Sequence, residues 1–183
     1  MTGGITVISG PAGVGKGTVV SELKRQYPEV WVSVSATTRP PRPTEVEGVH
    51  YRFVSEADFD QLVATDGLLE WAVVHGRHRY GTPAAPVTEA AAAGQTVILE
   101  IDLEGARQVR RRVEGVSSVF LAPPDWDTLV TRLGGRGTET DAQLARRLET
   151  ARTELAAADE FDAIVVNRHV GTTVAELVSL LGL

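Results

Sequence analysis

A glycine-rich stretch near the N-terminus, residues 10–18 with the sequence GPAGVGKGT, has the residue types and spacing of a loop that binds phosphate. In such a loop, backbone N–H groups surround the phosphate oxygens, glycines permit the tight turns, and the next helix adds partial positive charge. Lys16 would neutralise the outer phosphates of a nucleotide. An apolar, β-rich run at residues 5–8 precedes the stretch, and a helical pattern follows it. The alternative interpretation, a glycine turn without a phosphate role, is disfavoured because the full spacing and the lysine are both present.

The hydroxyl that such loops use to hold a magnesium ion is displaced by one position. Gly17 stands where the pattern G-x-x-x-x-G-K-[ST] has its hydroxyl, and Thr18 follows it. We therefore expect Mg²⁺ to be held mainly by water, phosphate oxygens and an acid elsewhere. Asp102 ends an apolar strand predicted over residues 97–101, where a carboxylate would face the ligand crevice of a parallel sheet. A helix N-cap is the alternative role for Asp102, and one residue can serve both; Glu100, on the same strand face, is the second candidate.

Two groups of arginines predict that more than one phosphate is bound. Arg39 and Arg42 lie in the proline-rich segment ATTRPPRPTEVEGVHYRF, and the other group flanks the glycine-containing segment RLGGRGTETDAQLARRL. Phosphoryl transfer depends mostly on positioning and charge neutralisation, for which bidentate guanidinium groups are well suited. Two phosphorylated molecules brought head to head would need cations from both sides. Solvated surface charge is the alternative for these arginines, and the glycines of the second segment predict a lid that excludes water.

The elements that must position these residues alternate between strand and helix along the chain. Strands are predicted at residues 5–8, 31–35, 50–53, 68–74, 97–101, 116–121 and 163–166. Helices are predicted at residues 16–26, 56–63, from 84 to about 94, 103–112, 125–134, 141–157 and 170–181, with Ser55 as an N-cap and residues 80–83 as a turn. This alternation is typical of βαβ units and predicts an α/β fold with a parallel sheet between layers of helices.

The composition narrows the functional classes. The chain has 183 residues, enough for one core with small appendages. Its net charge of -6 disfavours general nucleic-acid binding, which needs a basic face. The sequence contains no cysteine, which excludes disulfides and thiolate metal sites. It also shows neither a signal peptide nor a membrane span, so we expect a cytoplasmic protein.

Seven motifs together resemble the guanylate kinase family. In family order, they are GPAGVGKGT, SVSATTRPPRPTEVEGVHYRF, LLEWA, RYGTP, ILEIDLEGA, RGTETDAQLARRLETARTEL and FDAIVVN, and they cover nearly the whole chain. The SATTRPPR segment is much more specific than the phosphate loop, which many families share. The resemblance implies a P-loop kinase fold: a five-stranded parallel sheet flanked by helices, a small mixed GMP-binding subdomain (about residues 36–85) and a lid (about residues 125–145). The remaining segments, residues 1–35, 86–124 and 146–183, would form the core.

The resemblance also implies an activity and its residues. The γ-phosphate of ATP would pass to GMP or dGMP, with Mg²⁺ accompanying ATP, and the matching residues would take the family's roles. The residues expected to contact ATP are Gly10, Ala12, Gly13, Val14, Gly15, Lys16, Gly17, Thr18, Arg136 and Asn167. Those expected to bind GMP are Ser35, Arg39, Arg42, Tyr51, Glu70, Tyr80, Thr82 and Asp102. Catalysis is assigned to Lys16, Arg39, Arg132, Arg136 and Arg147, and Mg²⁺ to Thr18, Glu100 and Asp102.

Glu70 suits a guanine base on chemical grounds. Guanine presents two adjacent donors, N1–H and the 2-amino group, and one carboxylate can accept both. Adenine presents a bare acceptor at N1, which such a carboxylate disfavours. Polar pairing of this kind discriminates between substrates by about 10⁴–10⁵ in other enzymes. The alternative is that Glu70 is a charged residue on an exposed strand face.

Two other functions are compatible with parts of the pattern. Guanylate-kinase-like binding modules use the GMP-binding surface for phosphopeptides, but they typically lack an intact phosphate loop and lid. A related P-loop kinase of another phosphorylated acceptor, such as a ribosyl bisphosphate, would have no need of Ser35, Glu70 and Thr82. The favoured partners are therefore ATP and GMP, with neither nucleic acid nor membrane. Arg168 and His169 follow Asn167 where the family usually has acids.

Overall fold

A computed structural model describes residues 4–74, 77–134 and 141–183. The strands, in chain order, are β1 (Ile5–Ser9), β2 (Trp31–Val32), β3 (Ala36–Thr37), β4 (Arg52–Phe53), β5 (Leu68–Val74), β6 (His78–Pro83), β7 (Val97–Glu100), β8 (Ser117–Ala122) and β9 (Ala163–Val166). The helices are α1 (Lys16–Gln26), α2 (Glu56–Ala64), α3 (Ala84–Ala92), α4 (Leu103–Arg112), α5 (Trp126–Gly134), α6 (Asp141–Ala156) and α7 (Val170–Leu181).

The central layer of the described chain is a five-stranded sheet in the order β2-β7-β1-β8-β9, and every pairing in it is parallel. Successive residues of its strands point to opposite faces. Val7, Leu99 and Phe120 pack with Val109 of α4 on one face. On the other face, the neighbouring residues Ile8, Ile98 and Leu121 pack with Leu23 of α1 and Leu177 of α7. The prediction of an α/β fold with a five-stranded parallel sheet between helices is confirmed.

A second, mixed sheet has the order β4-β3-β6-β5. Strand β3 pairs in parallel with β4 and antiparallel with β6, and β5 pairs antiparallel with β6. The prediction of a turn at residues 80–83 is wrong, because these residues belong to β6 and lie opposite β5. Gly81 serves close approach between the two strands: a Cβ atom there would lie 2.8 Å from the Glu70 carbonyl oxygen. Pro83 ends the strand and becomes the N-cap of α3.

Two predicted strands are shorter than expected, for the same reason. The strand predicted at residues 31–35 ends at Val32 in the central sheet, and the one predicted at 50–53 contains Arg52 and Phe53 alone. Between them the chain crosses to the second sheet, where Ala36 and Thr37 pair with β6. Such long-range pairings leave little trace in local periodicity, so the sequence did not reveal them.

Helix α4 fastens the second sheet to the first. Asp102 is its N-cap and accepts a hydrogen bond from the Gly105 amide at 2.7 Å. Further along the helix, the side-chain amide of Gln108 accepts from the Trp71 backbone N–H and donates to the Trp71 carbonyl, both at 3.1 Å. At the end of the helix, Arg112 donates to the Leu68 carbonyl and pairs with Asp66. Strand β5, at the edge of the mixed sheet, is therefore held by side chains of α4.

Helices α5 and α6 pack together through Leu129, Leu133 and Ala151. They flank residues 135–140, which lie outside the described residues, so most of the predicted lid loop and Arg136 cannot be placed. The division into core, GMP-binding subdomain and lid remains a prediction. No helix in the described part of the chain is long and apolar enough to cross a membrane.

Candidate active site

The phosphate-type loop joins β1 to α1, and its shape depends on glycine. Gly10 has φ +146°, and a Cβ atom there would lie 2.3 Å from the Leu121 carbonyl oxygen. Gly15, the N-cap of α1, has φ +98°, and a Cβ atom there would lie 2.8 Å from the Asn167 side-chain nitrogen. Both positions combine a left-handed backbone with close contact, which other residues do not tolerate.

Lys16 begins α1 and folds back over the loop. Its ammonium group donates hydrogen bonds to the carbonyl oxygens of Gly10 and, at 3.5 Å, Pro11. Burial lowers the pKa of Lys16, and the negative charges of Glu154, Glu100 and Asp102 oppose that shift. The loop thus has its cation in place beside a set of acids.

A cavity of about 510 Å³ opens in front of the loop. Its lining residues are Pro11, Gly13, Val14, Gly15, Lys16, Gly17, Thr18, Glu100, Arg132, Asn167, Arg168 and Val170. Asn167 is buried, and its side chain donates to the Val14 carbonyl at 2.8 Å and accepts from the Thr173 hydroxyl at 3.0 Å. Arg132 also donates to the Val14 carbonyl, at 3.2 Å. Both residues therefore fix the loop as well as line the cavity.

The acids near this cavity fit a magnesium ion that is held chiefly by phosphate and water. In the part of the chain that the structure describes, no three acids, histidines or cysteines are grouped as a metal site. Mg²⁺ commonly retains several waters and uses only one or two carboxylates together with substrate phosphates. Half-buried Glu100 lies beside the loop, with an oxygen 3.6 Å from a Cβ built on Gly17. Burial raises the pKa of Glu100, against the opposing effect of Lys16.

Asp102 is less available for a metal than the sequence predicts. One of its carboxylate oxygens accepts the Gly105 amide, so its alternative role as a helix N-cap is confirmed. The other two metal candidates, Thr18 and Glu100, line the cavity.

A buried carboxylate lies in the hairpin of β5 and β6. Glu70 is 6% exposed and accepts a hydrogen bond from the hydroxyl of fully buried Thr82 at 2.6 Å. Burial raises the pKa of Glu70 to about 7; the Thr82 hydrogen bond opposes the shift, and Asp102 adds to it. Glu70 and Asp102 converge at Gly105, where a built Cβ would lie 3.0 Å from Glu70 Oε2 and 3.2 Å from Asp102 Oδ1. Glu70, Thr82 and Asp102, three of the residues expected to bind GMP, are thus close together, and the exposed-face alternative for Glu70 is wrong.

Arg39 is the centre of a second polar cluster, on the same mixed sheet. Its guanidinium donates to the Tyr80 hydroxyl at 3.0 Å and forms an ion pair with Glu45 at 2.8 Å. The Arg39 and Glu45 side chains are only 12% and 11% exposed, and the guanidinium lies 5.5 Å from the Tyr51 ring centroid. The hydrogen bond with Glu45 is the main cause of a raised pKa of Arg39, and burial raises the pKa of Tyr51.

The comparison with protein families decides the affiliation of this chain. A family model described as guanylate kinase matches residues 3–182. The chain belongs to the guanylate kinase family. Guanylate kinase from Cutibacterium acnes is 60% identical over 179 residues, covering 98% of this chain and 90% of that protein. Guanylate kinase from Thermobifida fusca is 60% identical over 177 residues, covering 97% and 90%.

A solved structure agrees with this affiliation. The crystal structure of guanylate kinase from Anaplasma phagocytophilum aligns with a TM-score of 0.79 at 28% identity, covering 99% of this chain and 85% of that one. The family resemblance seen in the sequence is therefore confirmed, together with the P-loop kinase fold. The chain is an enzyme of the guanylate kinase class, a nucleotide-binding transferase.

The arginines that were predicted to bind phosphate or to act in catalysis lie in different parts of the described structure. Arg132 donates to a carbonyl of the loop, and Arg39 lies in the polar cluster with Tyr80 and Glu45. Arg42 is exposed and donates its backbone N–H, at 2.7 Å, to Glu45. Arg147 is half-buried on α6. Ser35, also half-buried, accepts the Arg52 amide through its carbonyl at the start of the mixed sheet.

Sequence reasoning missed two acids that belong to these sites. Glu45 pairs with Arg39, and an acid three residues after Arg42 in a proline-rich turn was the available signal. Glu154 lies on α6, and its negative charge opposes the lowering of the Lys16 pKa by burial. Its signal was an acid next to the apolar stripe of a long amphipathic helix, three residues after buried Ala151.

Proposed function

We propose that this guanylate kinase family member transfers the γ-phosphate of ATP to GMP or dGMP, giving ADP and the nucleoside diphosphate. The observation that carries the proposal is the buried Glu70–Thr82 pair, which lies on the mixed sheet apart from the phosphate loop. Burial disfavours the charged form of this carboxylate, so hydrogen-bond donors from a ligand would stabilise it. The N1–H and 2-amino groups of guanine supply two such donors side by side.

The donor would bind in the cavity of about 510 Å³ that the loop lines. The loop's backbone N–H groups and the N-terminus of α1 would receive the phosphates. Lys16 would exchange its contacts with the Gly10 and Pro11 carbonyls for phosphate oxygens. Bound Mg²⁺ would neutralise charge on the donor phosphates, and Glu100 and Thr18 would hold it, partly through water.

The acceptor would lie along the mixed sheet. Glu70, with Thr82 and Asp102, would read the guanine edge, and Ser35 would contact it from the start of the same sheet. The acceptor phosphate would be received by Arg39, Arg42, Tyr51 and Tyr80. Arg39 and Tyr80 are already hydrogen-bonded to each other, which reduces the entropy lost on binding. A phosphate competes with Glu45 for the Arg39 guanidinium, because both are anions with the geometry for a charge-assisted hydrogen bond.

The transfer itself would be an in-line displacement in which the protein positions groups and neutralises charge. Lys16 and Arg39 would contribute from the two nucleotide sites, and Arg132, Arg136 and Arg147 from α5, α6 and the segment between them. Exclusion of water around the transferring group would limit ATP hydrolysis. With these substrates, the cytoplasm is the expected location.

A coupled assay of ADP formation tests this function. GMP and dGMP should support turnover with ATP, and AMP should give a kcat/KM lower by at least about 10³. The E70Q variant should raise the KM for GMP much more than the KM for ATP. E89Q is the matched control, because Glu89 is an exposed glutamate on α3. Equal turnover with AMP and GMP, or an unchanged KM for GMP in E70Q, would refute the assignment.

A further inference from the structure

Glu45 is an acid within the proposed site for the acceptor phosphate, and both of its carboxylate oxygens are used. Oε1 pairs with Arg39 Nη2 at 2.8 Å, and Oε2 accepts the Arg42 backbone N–H at 2.7 Å. The hydrogen bond from Arg39, followed by that from Arg42, lowers the pKa of Glu45, so it is ionised at neutral pH. A carboxylate repels a nearby phosphate because both are anions. Its place among phosphate-binding residues therefore calls for a role that offsets this repulsion.

The Arg39 guanidinium is held through all three of its nitrogens. Nε donates to the Tyr80 hydroxyl at 3.0 Å, Nη1 to the Pro40 carbonyl at 2.7 Å and Nη2 to Glu45. Within the described residues, these three contacts use three of the five N–H groups that a guanidinium carries. One N–H on each Nη atom is left there for a phosphate, which can bind beside Glu45 even as it competes for the same guanidinium.

Glu45 also fixes the backbone that carries the second arginine. Its own N–H donates to the Arg42 carbonyl at 3.0 Å, and the Arg42 N–H donates to its carboxylate, so the turn at residues 42–45 is closed from both sides. One residue therefore orients the guanidinium of Arg39 and the backbone of Arg42. Because arginine side chains are long and flexible, orienting them before the phosphate arrives reduces the entropy lost on binding.

We propose that Glu45 is a positioning residue for the acceptor phosphate: it holds the Arg39 guanidinium and the Arg42 backbone in the arrangement that receives the phosphate of GMP. The inference rests on the proposed function, because GMP is the proposed acceptor. It assigns Glu45 no contact with the substrate. The effect of Glu45 on binding must therefore pass through the arginines, and it must depend on the phosphate.

The first test compares the binding of GMP with that of guanosine, which lacks the phosphate, by NMR titration. E45A should raise the Kd for GMP at least about tenfold and leave the Kd for guanosine within about twofold of wild type. E45Q retains one accepting oxygen instead of two, so its Kd for GMP should lie between those of wild type and E45A. E149A is the control, since Glu149 is an exposed glutamate on α6. Should E45A fail to fold, E45Q decides the test, with an expected rise of at least about threefold in the Kd for GMP.

A double-mutant cycle tests whether Glu45 acts through Arg39. R39A alone should weaken GMP binding. Because the partner of Glu45 is then already absent, adding E45A should change the Kd for GMP by less than about threefold. A loss of about tenfold in both backgrounds would show that Glu45 acts independently of Arg39, which contradicts the proposal.

A second readout needs no nucleotide. The Arg39 Nε–H is hydrogen-bonded and its side chain is 12% exposed, so ¹⁵N-labelled protein should give a resolved signal for it, which R39K identifies by its disappearance. E45A should shift or broaden this signal because the guanidinium gains freedom, whereas E149A should leave it unchanged.

The outcomes separate this inference from the proposed function. An unchanged Kd for GMP with an unmoved Arg39 signal in E45A would overturn the role of Glu45, and tighter GMP binding would overturn it by showing that Glu45 only competes with phosphate. An equal loss of GMP and guanosine binding with a lowered Tm would also overturn it, because that pattern indicates general destabilisation. If the wild-type protein binds GMP but does not phosphorylate it, the proposed function fails, while the comparison of variants still decides the role of Glu45.

Discussion

At the scale of single residues, the proposed donor and acceptor sites each contain one ionisable side chain whose charged form is disfavoured by burial. Lys16 is a cation held by backbone carbonyls, and Glu70 is a carboxylate held by one hydroxyl. In each case burial disfavours the charged form, so the pKa of Lys16 is lowered and that of Glu70 is raised. A ligand of opposite charge, or one with suitable donors, relieves that cost.

Glu70 predicts a pH dependence of GMP binding. Its pKa is about 7 in the folded protein, so the carboxyl is mostly protonated below pH 7 and mostly ionised above it. Guanine offers two donors and needs the ionised form, so the KM for GMP should fall as pH rises from about 6 to about 8. The change should approach tenfold per pH unit at the acid end. The GMP phosphate also titrates in this range, so the KM for GMP of the E70Q variant is measured as the control. If the KM of the wild type changes with pH in parallel with that of E70Q, the prediction is contradicted.

The loss of the Lys16 charge should affect turnover more than folding. We expect K16M to lower kcat by at least about 10²–10³, because removal of a preorganised charge at a developing anion has this effect in other enzymes. Thermal unfolding should stay close to that of wild type, since methionine fills a similar volume. K24M is the control, because it removes the other lysine of the same helix from an exposed position. Near wild-type turnover in K16M would exclude a role in phosphate transfer.

At the scale of elements, the strand–loop–helix unit from β1 to α1 is the most predictable part of the site. The predicted helix at residues 16–26 is confirmed at both ends, and Val19, Val20 and Leu23 form its buried face. The local pattern was sufficient because glycines, an apolar run and a helical period follow each other directly. In the hairpin of β5 and β6, the first strand was predicted from the sequence but the second was not. Its Gly81 and Pro83 are turn residues by type, but here one allows close strand contact and the other ends a strand.

Alanine substitution should lower the free energy of unfolding by different amounts at Gly10, in the phosphate-type loop, and at Gly94. G10A should reduce the free energy of unfolding by about 3–5 kcal/mol, because it meets the Leu121 carbonyl at 2.3 Å in a left-handed backbone. G94A is the matched control, since Gly94 also has a positive φ (+79°) but nothing lies within 4 Å of a Cβ atom there. It should cost only about 1–2 kcal/mol for the backbone strain. Urea unfolding of both variants measures the difference, and equal costs would show that the contact with Leu121 is relieved by movement.

At the scale of the whole molecule, the sequence predicts the central sheet well and the second sheet poorly. Strands β7 and β9 contain continuous apolar runs, residues 97–99 and 163–166, which local pattern detects. The mixed sheet joins residues 36–37, 52–53, 68–74 and 78–83, and two of its strands have only two residues each. The acids Glu45 and Glu154 were missed for a related reason, because each acts on a cation, Arg39 or Lys16, that only folding brings close.

The Gln108 side chain blocks part of the exposed edge of the mixed sheet. Strand β5 ends the mixed sheet and carries Trp71 and Val73, which are 36% and 54% exposed, so another chain could extend the sheet there. By satisfying the Trp71 N–H and carbonyl, Gln108 occupies the positions that an incoming strand would need. Q108A should therefore promote self-association, visible as increased light scattering at high protein concentration, whereas the exposed-residue variant E149A should remain monodisperse under the same conditions.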